Sequence, residues 1–267
     1  MRLPFEKLNN TRDLGGIRTS DGRRIRSGRL FRSGHLYAAS AKDLAVLKEQ
    51  VGSVVDFRSI SERTEKPDPD FGQTDLHLPI FDVTAASVER DEASKEASFH
   101  TVARDPQGAA EYMMRTYRSF IRDGFARAQY ARFLRFLMKP HEKAVLWHCT
   151  AGKDRAGFAA ILVLELLGAD RETIRADYLA TDEYLADECR FLVSFLGEKF
   201  GGLTPEIEQA LGLLFGAKDA FFDAVYDTIG SDYGDMDRFL SEGLGITPQE
   251  RETLRTLYLE SLQRGGI

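Results

Sequence analysis

Two short apolar runs, SVVDFR at 53–58 and KAVLWH at 143–148, are rich in β-branched and large apolar residues and too short for a stable helix. Each is predicted as a buried strand, the first ending on Asp56 and Arg58. The alternating DLHLPI at 75–80 predicts a third strand. Ahead of them, glycines at 15, 16, 22, 28 and 34 punctuate a turn-rich, β-rich entry with a hairpin turn at Asp21-Gly22. Ser40 caps a predicted helix over about 41–51. Tyr112, Thr116 and Phe120, with Met113 and Tyr117, put a stripe on a helix over about 107–123. A further helix carries Phe125, Phe133, Phe136 and Leu137 and closes at Pro140. The run AGFAAILVLELLG at 156–168 is apolar on every face, which predicts a helix inside the core. Beyond Gly168 the chain reads as helical throughout, with caps at Asp170, Thr204-Pro205 and Thr247-Pro-Gln-Glu. Residues 82–105 show neither period, and together with the helix that follows they make 82–123 a candidate lid. Strands followed by buried helices, without a linker, predict one α/β domain over 1–267: a central mixed sheet flanked by helices, with a helical lid segment and a helical C-terminal half.

Composition changes this picture little. A chain of 30.0 kDa with 43% hydrophobic and 29% charged residues buries a full core. The net charge of -6, with both signs mixed along the chain, argues against a nucleic-acid partner. No apolar run is long enough to span a bilayer and the N-terminus lacks a secretory h-region, so a cytoplasmic location without membrane insertion is expected. The chain carries no signal for oligomeric state.

Two cysteines, Cys149 and Cys189, make neither a disulfide framework nor a zinc cluster. Cys149 opens a loop, HCTAGKDRAG, between the 143–148 strand and the core helix. A small-residue loop that runs into a helix N-terminus points backbone N–H groups inward and forms an anion cradle from Thr150, Ala151, Gly152, Lys153, Ala156 and Gly157. The same field favours a thiolate at Cys149. Arg155 adds a planar fork of donors for a tetrahedral anion, so phosphate is the natural ligand.

The H-C-x5-R pattern of this loop resembles that of the cysteine-dependent protein tyrosine phosphatases, and its A-G-K-D-R variant resembles a bacterial and fungal branch of them. NNTRDLGG at 9–16, LFRSGHL at 30–36 and VVDFRSISER at 54–63 are similar to further blocks of that branch, in order over roughly the first 170 residues. The resemblance implies hydrolysis of phosphotyrosine through a phosphocysteine on Cys149, with Arg155 and the loop amides on the phosphoryl oxygens and no metal or cofactor. Phosphoserine, phosphothreonine and phosphoinositides are further candidate substrates, the last because the resemblance places a second charge, Lys153, at the mouth. The branch implicates the aspartate inside the cradle as general acid, which is Asp154; Asp56 and Asp82, each after a predicted strand, are rivals.

One position departs from the pattern. The family usually places Ser or Thr after the arginine, where a hydroxyl stabilises the departing thiolate, and this chain has Ala156. Slow breakdown of the phosphocysteine is therefore expected. A weakly active or inactive phosphate-binding module is the alternative function; sulfur transfer and arsenate reduction fit the blocks less well. His148 is expected to orient the loop, Cys189 and Trp147 to pack, and Arg12, Asp13 and Arg58 to serve either substrate or structure.

Overall fold

The computed structural model describes residue 3 and residues 5–81 and 99–261. Among them five strands form one mixed sheet: β1 (Arg12–Asp13), β2 (Leu30–Ser33), β3 (Val51–Asp56), β4 (Thr74–His77) and β5 (Ala144–His148). Their order is β1-β2-β5-β3-β4, with β1 antiparallel to β2 and every other pairing parallel. The helices are α1 (Ala41–Gln50), α2 (Ile60–Glu65), α3 (Pro106–Arg122), α4 (Gly124–Leu137), α5 (Arg155–Leu167), α6 (Arg171–Tyr184), α7 (Ala186–Lys199), α8 (Pro205–Phe215), α9 (Asp219–Tyr233), α10 (Met236–Arg238), which runs on into a π-helical turn at Phe239–Gly243, and α11 (Pro248–Tyr258). No described helix is long and apolar enough to cross a membrane.

The period of two in a strand divides the core. Ala144 and Leu146 of β5 join Phe31, Val54 and Leu47 of α1 on one face. Val145 and Trp147 join Leu30, Val55 and the helices of the opposite face. The uniformly apolar α5 lies in that second layer, between the sheet and α6 and α11, and stops at Gly168 in a left-handed conformation. The predicted strand at 53–58 begins two residues earlier and ends at Asp56, after which Phe57 donates to the His148 carbonyl. The predicted strand at 75–80 closes at His77, just before Pro79 would deny the ladder a donor. The expected hairpin turn at Asp21-Gly22 is present, with the Thr19 amide on the Arg23 carbonyl and the Ile25 amide on the Ile17 carbonyl (2.9 Å each) around an Arg18–Arg24 bridge.

The candidate lid needs correction. Its first part, 82–98, lies outside the described residues. The helix expected at 107–123 is α3; of its predicted stripe Met113, Tyr117 and Phe120 are buried in the main core, joined by Ile121 and packed by α8 and α9, whereas Tyr112 is exposed. An amphipathic helix with its apolar face so covered is a wall of the core rather than a flap.

Candidate active site

Parallel pairing brings the carboxyl ends of β2, β3 and β5 to one level, with Ser33 beside His148 and His148 beside Asp56. This is the edge of an open α/β sheet at which ligand crevices form. Cys149 leaves β5 here and is 2% exposed. Residues 149–154 then curl beneath the N-terminus of α5.

The loop's backbone polarity is fixed from outside. The Cys149 carbonyl accepts from His148 Nδ1 (3.1 Å) and the Thr150 carbonyl from the His35 amide (2.8 Å). The Ala151 carbonyl accepts from Asn10 Nδ2 (3.0 Å) and the Gly152 carbonyl from Arg32 (2.7 Å). Four successive carbonyls are thus held by outer donors, and the peptide units turn their N–H groups the other way, as an anion cradle requires. Gly152 has φ +71, and a Cβ there would stand 2.4 Å from the Ser33 carbonyl oxygen. Only glycine lets the loop lie this close to β2.

The donors are themselves anchored. Asp177 of α6 receives Arg12 Nε (2.7 Å) and Arg32 (2.6 Å), all three side chains being buried. Burial raises the Asp177 carboxyl, but Arg12 and Arg32 outweigh it and hold the group at about 2. Burial, then Arg12, brings Arg32 down to about 10. Two guanidiniums against one carboxylate leave an excess positive charge behind the cradle, which favours an anion within it. Asp13 accepts from the Gly15 and Gly28 amides (2.7 Å each). Arg12 and Asp13 therefore serve the frame of the loop.

Arg155 meets Glu62 of α2 in a two-point pair, 2.7 and 2.8 Å, and reaches Thr150 Oγ1 at 3.3 Å. Burial works against its charge, and Glu62 and Cys149 more than restore it. Burial also acts against the Glu62 carboxylate, yet the bonds from Arg155, Thr150 and the Ser59 amide hold it well below the usual range. Glu62 is a site residue that the sequence reading missed. Its signals were present in SISE, where Ser59 and Glu62 form a capping box that fixes the carboxylate at the start of α2.

Asp154 stands at the entrance, its side chain 26% exposed. Its Oδ1 accepts from the Tyr117 hydroxyl at 2.7 Å. It lines a cleft of about 720 Å³ with Arg155, walled by Phe81, Phe99, Met113 and Phe215. Lys153 is not at the mouth: it is 2% exposed, and its ammonium donates to the Leu214 (2.7 Å) and Gly216 (3.1 Å) carbonyls at the end of α8. The helix's unpaired C-terminal carbonyls attract the charge inward. Ala156 is buried, and its carbonyl accepts from Trp147 Nε1 (3.1 Å); Gly157 packs against Arg32 and Tyr178.

The rival acids fare differently. Asp56 is fully buried and takes Arg58 Nε and a terminal guanidinium nitrogen at 3.0 and 2.9 Å. Burial raises its carboxyl, and His148 and Arg58 lower it by more; held by Arg58 on both oxygens, it is not among the residues that line the cleft beside Asp154. Arg58 also reaches Asp68 (2.6 Å), whose carboxylate lies 3.0 Å from His148 Nε2. Burial opposes the charge on His148, but Asp68 and Asp56 raise it above the ordinary histidine value. Asp56, Asp68 and His148 have the donor types of a metal site, yet the Arg58 guanidinium already stands among them as the balancing cation. Asp82 lies outside the described residues. Cys189 is half-buried on α7, where its thiol faces the Phe215 carbonyl at 3.7 Å, a packing position.

A model of the tyrosine phosphatase family matches residues 3–260. A protein of Cupriavidus necator, named as a tyrosine-protein phosphatase, is 34% identical over 247 residues, 91% of this chain and 84% of that one. The triple specificity protein phosphatase PtpB of Mycobacterium tuberculosis is 30% identical over 207 residues, 69% of this chain and 73% of its own. A tyrosine-protein phosphatase of Nostoc commune is 27% identical over 132 residues, 49% of this chain and 45% of its own. With an outward-tied loop around a buried cysteine, an arginine fork beside it and a family match along nearly the whole length, the chain belongs to the tyrosine phosphatase family.

Proposed function

We propose that the protein hydrolyses phosphotyrosine by transferring the phosphoryl group to Cys149 Sγ and then to water. The observation that carries this reading is the set of four loop carbonyls at 149–152, each bonded outward, around Cys149. The free N–H side of such a loop stabilises the equatorial oxygens as charge shifts in the transition state, and Arg155 completes the set. The P–O bond to the tyrosine oxygen breaks as the S–P bond forms, and Asp154 supplies the proton that the phenolate oxygen takes up. In the second step water attacks phosphorus, Asp154 accepts its proton, and the S–P bond breaks.

The test is hydrolysis of p-nitrophenyl phosphate and a phosphotyrosyl peptide, with Cys149→Ser as control. A phosphocysteine should be trapped by acid quench and found by mass spectrometry on the peptide that contains Cys149. Turnover surviving in Cys149→Ser would overturn the assignment. The range of substrates extends, in this proposal, to phosphoserine and phosphothreonine, in line with the name of the M. tuberculosis relative, a triple specificity phosphatase. Phosphoinositides complete the proposed range. Since Lys153 is buried, charge at the mouth would have to come from elsewhere, such as the exposed Arg115 of the cleft. A side-by-side panel of the four phosphoesters measures that range.

A further inference from the structure

Two buried tyrosines from separate helices end on the acid proposed above. Tyr117 of α3 and Tyr178 of α6 are without exposure, and their hydroxyls lie 2.7 Å apart. The Tyr117 hydroxyl is also 2.7 Å from Asp154 Oδ1. Lys153 Nζ approaches the same oxygen at 3.4 Å, while Oδ2 takes no hydrogen bond from a described residue. Burial, and then the Asp154 charge, push both phenols upward, so both keep their protons and act as donors.

A phenol has one proton to donate. When Tyr117 gives its proton to the Asp154 carboxylate, it must accept from Tyr178, so the chain runs Tyr178 to Tyr117 to Oδ1. A proton placed on Oδ1 would reverse that chain and leave the Tyr178 proton to find another acceptor. The Lys218 backbone amide, itself a donor, faces that hydroxyl, and no other described acceptor bonds it.

We infer that Tyr117 and Tyr178 are positioning residues that reserve Oδ1 of Asp154 as an acceptor, so that the proton delivered to the leaving oxygen is carried on Oδ2. The inference rests on Asp154 being the general acid. It goes beyond that reading by specifying which oxygen acts and which residues, remote in sequence and barred from the substrate by burial, set it. Asp154 begins α5 without bonding that helix's amides, so beyond the Lys153 contact at 3.4 Å its carboxylate has nothing local to orient it. The tyrosines supply one from across the core.

The test uses the full chain and two esters that differ in their need for a proton, phenyl phosphate and the more acidic leaving group of p-nitrophenyl phosphate. Phenylalanine keeps the ring contacts of Tyr117 with Phe120 and Phe221 and of Tyr178 with Phe222. In Tyr117→Phe, kcat/KM on phenyl phosphate should fall by about 10-fold or more while that on p-nitrophenyl phosphate falls by less than about 3-fold, and Tyr178→Phe should shift the ratio in the same direction by less. Tyr117→Phe added to Asp154→Asn should cost nothing further on phenyl phosphate, because the bond it removes serves only the acid. Equal losses on both esters, or additive losses in the double variant, would show a merely structural tyrosine and overturn the inference while Asp154 stands. If Asp154→Asn itself treats the two esters alike, the acid assignment falls, and the tyrosine inference with it.

Discussion

At the scale of single residues, the site turns on what holds Arg155 and on what is missing after it. Glu62 uses one hydrogen from each terminal nitrogen of the guanidinium and fixes its plane, while the remaining terminal hydrogens make only the longer contacts to the Phe57 carbonyl (3.5 Å) and Thr150 Oγ1 (3.3 Å), which a phosphate would displace. Glu62→Gln keeps an oxygen acceptor but loses the charge and one acceptor position. Its kcat/KM should fall by roughly 10- to 100-fold, since a charge-assisted bond is worth on the order of 1.5–3 kcal/mol, and steady-state assay on p-nitrophenyl phosphate checks this. No loss would mean that Arg155 is oriented by the loop alone. Ala156 presents the opposite case, a place where a group is absent. Ala156→Ser should raise kcat several-fold and leave kcat/KM nearly unchanged, because kcat/KM reports only steps up to formation of the phosphocysteine. Rapid mixing should show a burst of p-nitrophenol near one equivalent per site in the wild type and a smaller one in Ala156→Ser; a wild type without a burst rules out slow thiolate departure. Of these candidates Cys149, Arg155, Asp154 and Ala156 could be named from the sequence because they occupy one contiguous stretch, 149–156, where the loop enters α5. Glu62 was not, because its role depends on α2 folding back to place a carboxylate beside a residue 93 positions away. Lys153 was misjudged for the same reason, since its partners are carbonyls of α8, more than 60 residues on.

Among the elements, the decisive contact is between the cradle and β2, made through backbone atoms that cannot yield. A Cβ at Gly152 meets Ser33 O at 2.4 Å, Ser33 C at 2.6 Å and Gly34 N at 2.7 Å, in addition to the strain of φ +71. Left-handed strain costs on the order of 1 kcal/mol and overpacking about 1–3 kcal/mol, so Gly152→Ala should lose about 2–4 kcal/mol of stability and nearly all activity. Gly22 is the matched control, with φ +86 and open space around its Cβ. Gly22→Ala should cost about 1 kcal/mol and keep full turnover. Thermal melts read beside phosphatase assays separate backbone strain from collision, and a Gly152→Ala variant as stable and active as Gly22→Ala would refute the close approach. The strands β3 and β5 and the helix α5 were visible in the hydrophobic pattern because burial on both sides leaves mostly apolar residues, and β4 was visible by its alternation. The status of α3 was not: a semi-apolar stripe reads alike for a lid and for a core wall, and only the helices that arrive from 205 onward decide which it is.

Across the whole molecule, one carboxylate joins the parts that the chain order separates. Asp177 of α6 binds Arg12 of β1 and Arg32 of β2, and Arg32 passes the connection on to the cradle at Gly152. Asp177→Asn would leave two buried guanidiniums without their counter-charge, for which a loss of about 3–5 kcal/mol is expected, measured by urea unfolding at pH 7. The pH dependence gives a check of sign. The folded carboxyl sits at about 2, below its unfolded value near 3.8, so its contribution is complete above about pH 4 and is lost as pH falls through 2. The shift corresponds to roughly 2 kcal/mol that depends on pH. His148 works in the other direction: its raised value adds stability below the ordinary histidine range that disappears as pH rises through the folded value. Both effects, and those of Asp56 and Glu62, act on wild type and Asp177→Asn alike, except for Asp177 itself. The stability gap between the two proteins should therefore be constant from pH 7 down to about pH 4 and narrow below it. A gap that stayed constant to pH 3 would mean that Asp177 is not the charge that holds β1, β2 and α6 together, and that the cradle's carbonyl at Gly152 is fixed by packing instead.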